Sequence, residues 1–215
     1  MAYDVVIFDL DGTLLDTLDD LMDSCNYALS TIGAPPRTRA EIRRFVGNGI
    51  RNLMLQAVPD GADNPQFEQA YETMQTWYKA HNQIKTAPYP GVQRLIRTLK
   101  QQGVPMAVVS NKPDASVQML VEQWFPEITF GLGEREGLRR KPERDMVDYA
   151  IAQLGQTGKK TVYVGDSEVD LTTAANAGLD CISVTWGFRD RALLVERGAK
   201  QFADTAEELL RLIQG

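Results

Sequence analysis

Four short apolar runs constrain this chain most: Val5-Val6-Ile7-Phe8, Pro105-Met106-Ala107-Val108-Val109, Thr161-Val162-Tyr163-Val164 and Cys181-Ile182-Ser183-Val184. Each reads as a strand, and the three after residue 91 alternate with helical stretches at 92–101, 115–123, 144–154 and 170–177. A further short strand is expected near 128–130, and terminal helices near Arg191 and Ala206. Successive strand and helix units imply right-handed crossovers and a largely parallel sheet. The first run joins this sheet most simply.

Residues 16–86 carry a different pattern. Helical stretches are expected at 16–30, 38–45, 50–58 and 64–84, with no convincing strand among them. The first shows Leu18, Leu21, Met22, Cys25 and Leu29 on one side, and Gly33 followed by Pro35 and Pro36 stops it. Tyr89-Pro90-Gly91 then punctuates the return to alternating strands and helices. The expectation is an α/β core of residues 1–15 and 87–215, with an all-helical cap of residues 16–86 inserted after the first strand. A chain of 215 residues that is 43% hydrophobic can bury such a core and an insertion.

Composition narrows the partners. A formal net charge of -6 argues against nucleic acid or an anionic membrane, and leaves a small anionic substrate open because local cations override net charge. No apolar stretch reaches membrane-spanning length and the start lacks a signal-like segment, so a cytoplasmic location is expected. Cys25 and Cys181 have no metal-ligand spacing and suit apolar roles in a reducing compartment. His81 is the only histidine and falls in the helical insertion, which gives histidine-based catalysis or zinc binding little support. Trp77 and Tyr78 read as packing residues, and Arg135, Arg139 and Arg140 as a solvated loop. Gly131-Leu132-Gly133 lacks the third glycine of a dinucleotide loop.

The polar residues that follow the apolar runs carry the chemistry. Asp9-Leu10-Asp11-Gly12-Thr13 sets two carboxylates two positions apart where the first strand breaks into a glycine-containing turn. Crowding two anionic groups there is relieved most simply by a cation or a shared proton. Ser110-Asn111-Lys112 follows the second run and reads as a turn. Gly165-Asp166-Ser167-Glu168-Val169-Asp170 follows the third, and Lys141-Pro142 opens a helix after a Gly/Arg-rich loop. Ligands of open parallel sheets sit at the carboxyl ends of the strands, where these residues fall.

Asp9 and Asp166 are hard oxygen ligands that favour Mg²⁺. Asp11 can add a ligand through its backbone carbonyl while its side chain moves a proton. Asp170, one helical turn beyond Asp166, can orient metal-bound water or hold Lys141. Ser110, helped by backbone N–H groups of the turn at Asn111, can bind a phosphoryl oxygen, and Lys141 would face the same oxygens as a point charge. Each motif alone has an ordinary reading as a turn, a cap or a solvated helix start. Their joint occurrence in sheet order favours chemistry.

Together these motifs resemble the haloacid dehalogenase-like hydrolases, and among them the phosphoglycolate phosphatase-like proteins. The four motifs are Asp9-Leu10-Asp11-Gly12-Thr13, Ser110-Asn111-Lys112, Lys141-Pro142 and Gly165 to Asp170, in the family's order along nearly the whole chain. Thr17 to Leu21, Val46 to Gly49, Tyr89 to Val92 and Trp186 to Arg189 add to the subfamily resemblance. The resemblance implies a Rossmann-like core with a helical cap, Asp9 as nucleophile and Asp11 as general acid/base. It also implies Mg²⁺ at Asp9, Asp166 and the Asp11 carbonyl, with phosphate at Ser110, Asn111 and Lys141. Lys141-Pro142-Glu143-Arg144 lacks the second proline often seen two positions on.

The expected activity is hydrolysis of a small phosphorylated metabolite, 2-phosphoglycolate first, by a monomer or homodimer. In the cap, Arg43 and the Gly47-Asn48-Gly49 loop are the candidate substrate-binding groups, with Arg44 and Arg51 as further carboxylate partners. Pyrophosphatase, sugar-phosphate phosphatase and phosphomutase activities are the enzyme alternatives. A non-enzymatic phosphometabolite-binding protein is the alternative outside enzymes.

Overall fold

The computed structural model describes residues 1–215. In chain order its elements are β1 (Val5–Phe8), β2 (Leu15–Asp16), α1 (Leu18–Thr31), α2 (Arg39–Phe45), α3 (Gly49–Ala57), a 3₁₀ turn (Gly61–Asp63), α4 (Phe67–His81) and β3 (Ala87–Pro88). They continue with α5 (Val92–Gln101), β4 (Met106–Pro113), α6 (Asp114–Trp124), β5 (Phe130–Glu134), α7 (Asp145–Gln153) and β6 (Thr161–Gly165). The last are α8 (Glu168–Ala177), β7 (Asp180–Val184), α9 (Arg191–Glu196), β8 (Gln201–Ala203) and α10 (Ala206–Gln214). The chain divides into two compact units, Met1–Leu15 with Pro88–Gly215, and Asp16–Ala87. Where it passes between them, β2 and β3 pair as a short ladder.

The first unit is an α/β fold on a six-stranded parallel sheet in the order β5-β4-β1-β6-β7-β8. Side chains alternate faces along a strand, so β1 sends Val6 and Phe8 into one core and Val5 and Ile7 into the other. Val92, Leu95, Ile96 and Leu99 of α5 cover the first face together with apolar residues of α6 and α10. Met146, Val147 and Ala150 of α7 and Ala174 of α8 cover the second. From β1 the chain continues to β4 and β5 on one side, then crosses to β6, β7 and β8 on the other. That reversal opens a crevice at the carboxyl ends of the central strands, the place such folds use for ligands.

Several boundaries differ from the sequence expectation, each for a local reason. Ser110-Asn111-Lys112 is not a turn: β4 runs through it to Pro113, with a register irregularity between Val109 and Pro113. β5 covers Phe130–Glu134 rather than 128–130, and Ile128 is instead in a turn, donating its N–H to the Phe125 carbonyl at 2.9 Å. Gly131 and Gly133 therefore belong to a strand. Lys141 lies in a loop, with helix α7 starting at Asp145 and the Lys141-Pro142 peptide cis. The three-residue edge strand β8 carries too short a pattern to be read from sequence.

The second unit is all-helical apart from its end residues, with α1 against α2 and α4, and α3 against α2 and α4. Thr38 and Glu41 form a reciprocal capping box that starts α2. The 64–84 stretch is shorter than expected: Asn64 accepts the Gln66 N–H at 2.9 Å in a turn, delaying α4 to Phe67. His81 stacks on Trp77 with ring centroids 3.9 Å apart, and Trp77 stacks on Tyr27 at 3.6 Å. These rings pack against one another on the α1–α4 pair.

Candidate active site

The turn after β1 presents Asp9 and Asp11. Asp9 extends β1 by one rung, its N–H donating to the Val164 carbonyl at 2.9 Å, so its side chain emerges at the carboxyl end of the sheet. The Leu10 carbonyl then accepts the N–H groups of Thr13, Leu14 and Leu15, folding the chain back sharply. Gly12 has φ +87°, and a Cβ there would sit 2.5 Å from an Asp166 carboxylate oxygen. A glycine is required at this point by both the backbone and the neighbour.

Lys141 gathers the site. Its ammonium donates to Asp9 Oδ1 at 2.7 Å, Asp170 Oδ1 at 2.8 Å and the Tyr163 hydroxyl at 3.0 Å. Three donors thus meet three oxygens. The loop carrying Lys141 is held on both sides of the cis peptide: Asn111 Nδ2 donates to the Lys141 carbonyl at 3.0 Å, and Asn176 Nδ2 donates to the Pro142 carbonyl at 2.9 Å. The Asn111 side chain, expected near phosphate, therefore tethers the Lys141 loop to β4. Ser110 is buried, and its Oγ accepts the Lys112 N–H at 3.3 Å.

Asp166 follows β6. Its Oδ1 accepts from the Thr13 hydroxyl at 3.3 Å and its Oδ2 from the Phe188 N–H at 2.7 Å. Asp170 is in the first turn of α8, where Oδ2 accepts from Asp166 N, Ser167 N and Ser167 Oγ, while Oδ1 faces Lys141 and Tyr163. Of the two tasks the sequence suggests for Asp170, holding Lys141 is the one present in this geometry.

Asp9, Asp166 and Asp170 are buried, and one carboxylate oxygen from each lies within 4.8 Å of the others. Burial first, then repulsion from Asp170 and Asp166, pushes the Asp9 carboxyl well above the usual range, with Lys141 opposing. Burial and Asp170 push Asp166 up to about 7, opposed by the Phe188 N–H, Arg189 and Lys141. For Lys141, burial alone would lower the ammonium's pKa, but Asp170 and Asp9 outweigh it and hold the group well above its ordinary value. An all-oxygen, buried and crowded donor set of this kind fits a hard divalent cation, which relieves the repulsion that burial magnifies.

Asp11 lies beside the cluster with a different partner. Its carboxylate is paired with Lys112, at 2.8 Å through Oδ1 and 3.1 Å through Oδ2. Lys112, Tyr163, Thr13 and the Phe188 N–H were not singled out from sequence. Lys112 and Thr13 lie within the motifs quoted from sequence and Phe188 within the Trp186 to Arg189 stretch, but none was given a role of its own; Trp186 Nε1 donates to the Thr13 carbonyl at 3.0 Å, bracing the turn after β1.

Asp9, Asp11, Ser110, Asn111, Lys141, Asp166 and Asp170 all fall in the first unit. Arg43, Gly47, Asn48 and Gly49 fall in the second, on α2 and the turn into α3. Arg51 is committed within that unit: it pairs with Glu68 and stacks over Phe67 and Tyr71 at 5.1 and 4.9 Å.

This sheet, with its carboxylate cluster after β1 and β6, is the architecture of a hydrolase class. Residues 6–184 match the haloacid dehalogenase-like hydrolases, and the chain belongs to that family. Within it, the chain is similar to phosphoglycolate phosphatases. That of Pseudomonas putida is 33% identical over 194 residues, covering 86% of this chain and 70% of that one. That of Agrobacterium fabrum is 32% identical over 198 residues, covering 86% and 82%. A crystal structure from Lactobacillus delbrueckii subsp. bulgaricus, provisionally named a phosphoglycolate phosphatase, superposes with a TM-score of 0.94 at 39% identity over 99% of both chains. No helix of this chain is long and apolar enough to cross a membrane.

Proposed function

We propose that this protein is a Mg²⁺-dependent phosphatase that hydrolyses a small phosphorylated metabolite of the cytoplasm through a phosphoaspartyl intermediate, with 2-phosphoglycolate as its substrate. The observation that carries the reading is the Asp9 carboxylate at the end of β1, paired with Lys141 at 2.7 Å and two residues from Asp11. Family membership supports hydrolysis, and the names of the relatives support the substrate.

In this reading Asp9 attacks phosphorus and Asp11 gives its proton to the departing alkoxide. Water then attacks the acyl phosphate while Asp11 takes a proton from it, restoring Asp9. Ser110 binds a phosphoryl oxygen, Lys141 faces the same oxygens as a point charge, and Asn111 keeps the Lys141 loop in place. Asp170 and Tyr163 orient the Lys141 ammonium. The Asp9 and Asp166 carboxylates, with the Asp11 main-chain carbonyl, would hold Mg²⁺, whose positive charge would offset repulsion between the phosphate dianion and Asp9. Residues 16–86 act as a cap, and Arg43 with the Gly47-Asn48-Gly49 turn is assigned to substrate selection.

The test is phosphate release from a panel of esters that includes 2-phosphoglycolate, hexose phosphates and pyrophosphate, with Mg²⁺ or EDTA. Preferential release from 2-phosphoglycolate, lost in EDTA and in Asp9→Asn, is expected. Full turnover by Asp9→Asn would overturn the mechanism. Preference for pyrophosphate or a hexose phosphate would overturn the substrate, and formation of an isomeric sugar phosphate would make the protein a mutase.

A further inference from the structure

Lys112 is a buried cation without a task in the scheme above. β4 continues through Ser110 to Pro113, and Lys112, two residues on, donates its N–H to Ser110 Oγ at 3.3 Å. Its side chain is 2% exposed, and its ammonium contacts both carboxylate oxygens of Asp11, whose side chain is 15% exposed. The backbone beneath it is fixed. Gly133 of β5 approaches so closely that a Cβ there would lie 2.6 Å from the Lys112 carbonyl oxygen, and its N–H donates to Asp114 Oδ1 at 2.8 Å. Ordering a long lysine side chain costs entropy, and here burial and a pinned strand end impose that order on folding, before any substrate binds.

We propose that Lys112 is a positioning residue for Asp11, holding its carboxylate through both oxygens in the orientation that accepts a proton from the attacking water. The inference rests on the two-step hydrolysis proposed above. In the second step the water oxygen bonds to phosphorus, and the bond between phosphorus and Asp9 breaks with its electrons returning to the Asp9 carboxylate. One water proton passes to Asp11. The products are ionised Asp9, inorganic phosphate and a protonated Asp11 ready for the next alkoxide.

An ammonium binds a carboxyl group most strongly when that group is ionised. The carboxylate is what the first step leaves behind and the second consumes. Lys112 therefore serves dephosphorylation, and losing it slows that step while sparing phosphoryl transfer to Asp9.

The experiment compares Lys112→Met with the wild type on the fastest ester of the panel, p-nitrophenyl phosphate included, by steady-state and rapid-mixing kinetics. Because kcat/KM reports only the steps through alcohol release, the variant should lose about tenfold or more in kcat, with KM falling in parallel and kcat/KM held within about twofold. Alcohol should appear in a burst stoichiometric with enzyme, followed by slow phosphate release. Lys112→Arg, which keeps a cation, should recover part of kcat, and it serves as the readout if Lys112→Met does not fold. In an Asp11→Asn background, Lys112→Met should add no further loss in kcat.

A fall in kcat/KM matching that in kcat, with no burst, would overturn the proposal and leave Lys112 a structural residue. If Asp11→Asn shows the burst and Lys112→Met does not, only the role of Lys112 fails. If Asp9→Asn retains turnover, the two-step hydrolysis itself fails.

Discussion

The Asp170 carboxylate divides its oxygens between two demands, Lys141 and Tyr163 on one side and the first turn of α8 on the other. Every one of those partners except the Tyr163 and Ser167 hydroxyls can only donate. In Asp170→Asn the amide nitrogen must face donors whichever way it turns, and Lys141 loses half of its buried charge balance. Breaking a buried pair in this way costs about 3–5 kcal/mol. We expect Asp170→Asn to lower the urea midpoint accordingly and to reduce kcat at least about tenfold by loosening Lys141. An unchanged kcat would show that Lys141 needs only Asp9. Asp9, Ser110 and Asp166 were legible in the sequence because Asp9 and Ser110 directly follow an apolar run and only Gly165 separates Asp166 from one. Lys112 and Thr13 were not, since their partners lie 101 and 153 residues away and meet them only through the strand order.

At the scale of elements, alternation exposed the sheet and helices, whereas the ends of elements depended on contacts that no local pattern carries. β4 shows why. Polar Ser110, Asn111 and Lys112 look like a turn, yet the strand continues because each has buried partners at the crevice. In the all-helical unit the comparable buried polar feature is Asp20 of α1, which accepts the Lys85 and Thr86 N–H groups and the Thr86 hydroxyl at 2.8–3.0 Å. It ties α1 to the segment leading into β3. Asp20→Ala leaves the Thr86 N–H and hydroxyl unpaired in a buried place, at a cost of about 2–3 kcal/mol. Urea unfolding should register that loss, and limited proteolysis should show faster cleavage within residues 82–88. Equal protease resistance would mean that packing alone holds this segment.

For the whole molecule, the carboxylate cluster links stability to pH and to cations. Asp9 and Asp166 are both pushed up, first by burial and then by Asp170, Asp166 reaching about 7. In the unfolded chain these groups lose their protons in the ordinary carboxylate range near pH 4. Between there and about pH 7 the folded state therefore binds more protons than the unfolded state, and stability falls as pH rises through that window. Glu41, Glu68 and Asp145 are held low by hydrogen bonds and give the opposite slope, but only at more acidic pH. Lys141, raised by Asp170 and Asp9 against the effect of burial, stabilises the fold up to its ordinary range and loses that contribution only at higher pH. In EDTA the melting temperature should thus decline from about pH 5 to about pH 8, and Asp166→Asn should flatten the decline. A cation binding the cluster competes with its protons, so the rise in melting temperature on adding Mg²⁺ should be larger at the higher pH. An equal rise at both values would mean that Mg²⁺ binds elsewhere, because a cluster that must lose protons to bind a cation cannot respond identically across the range in which it loses them.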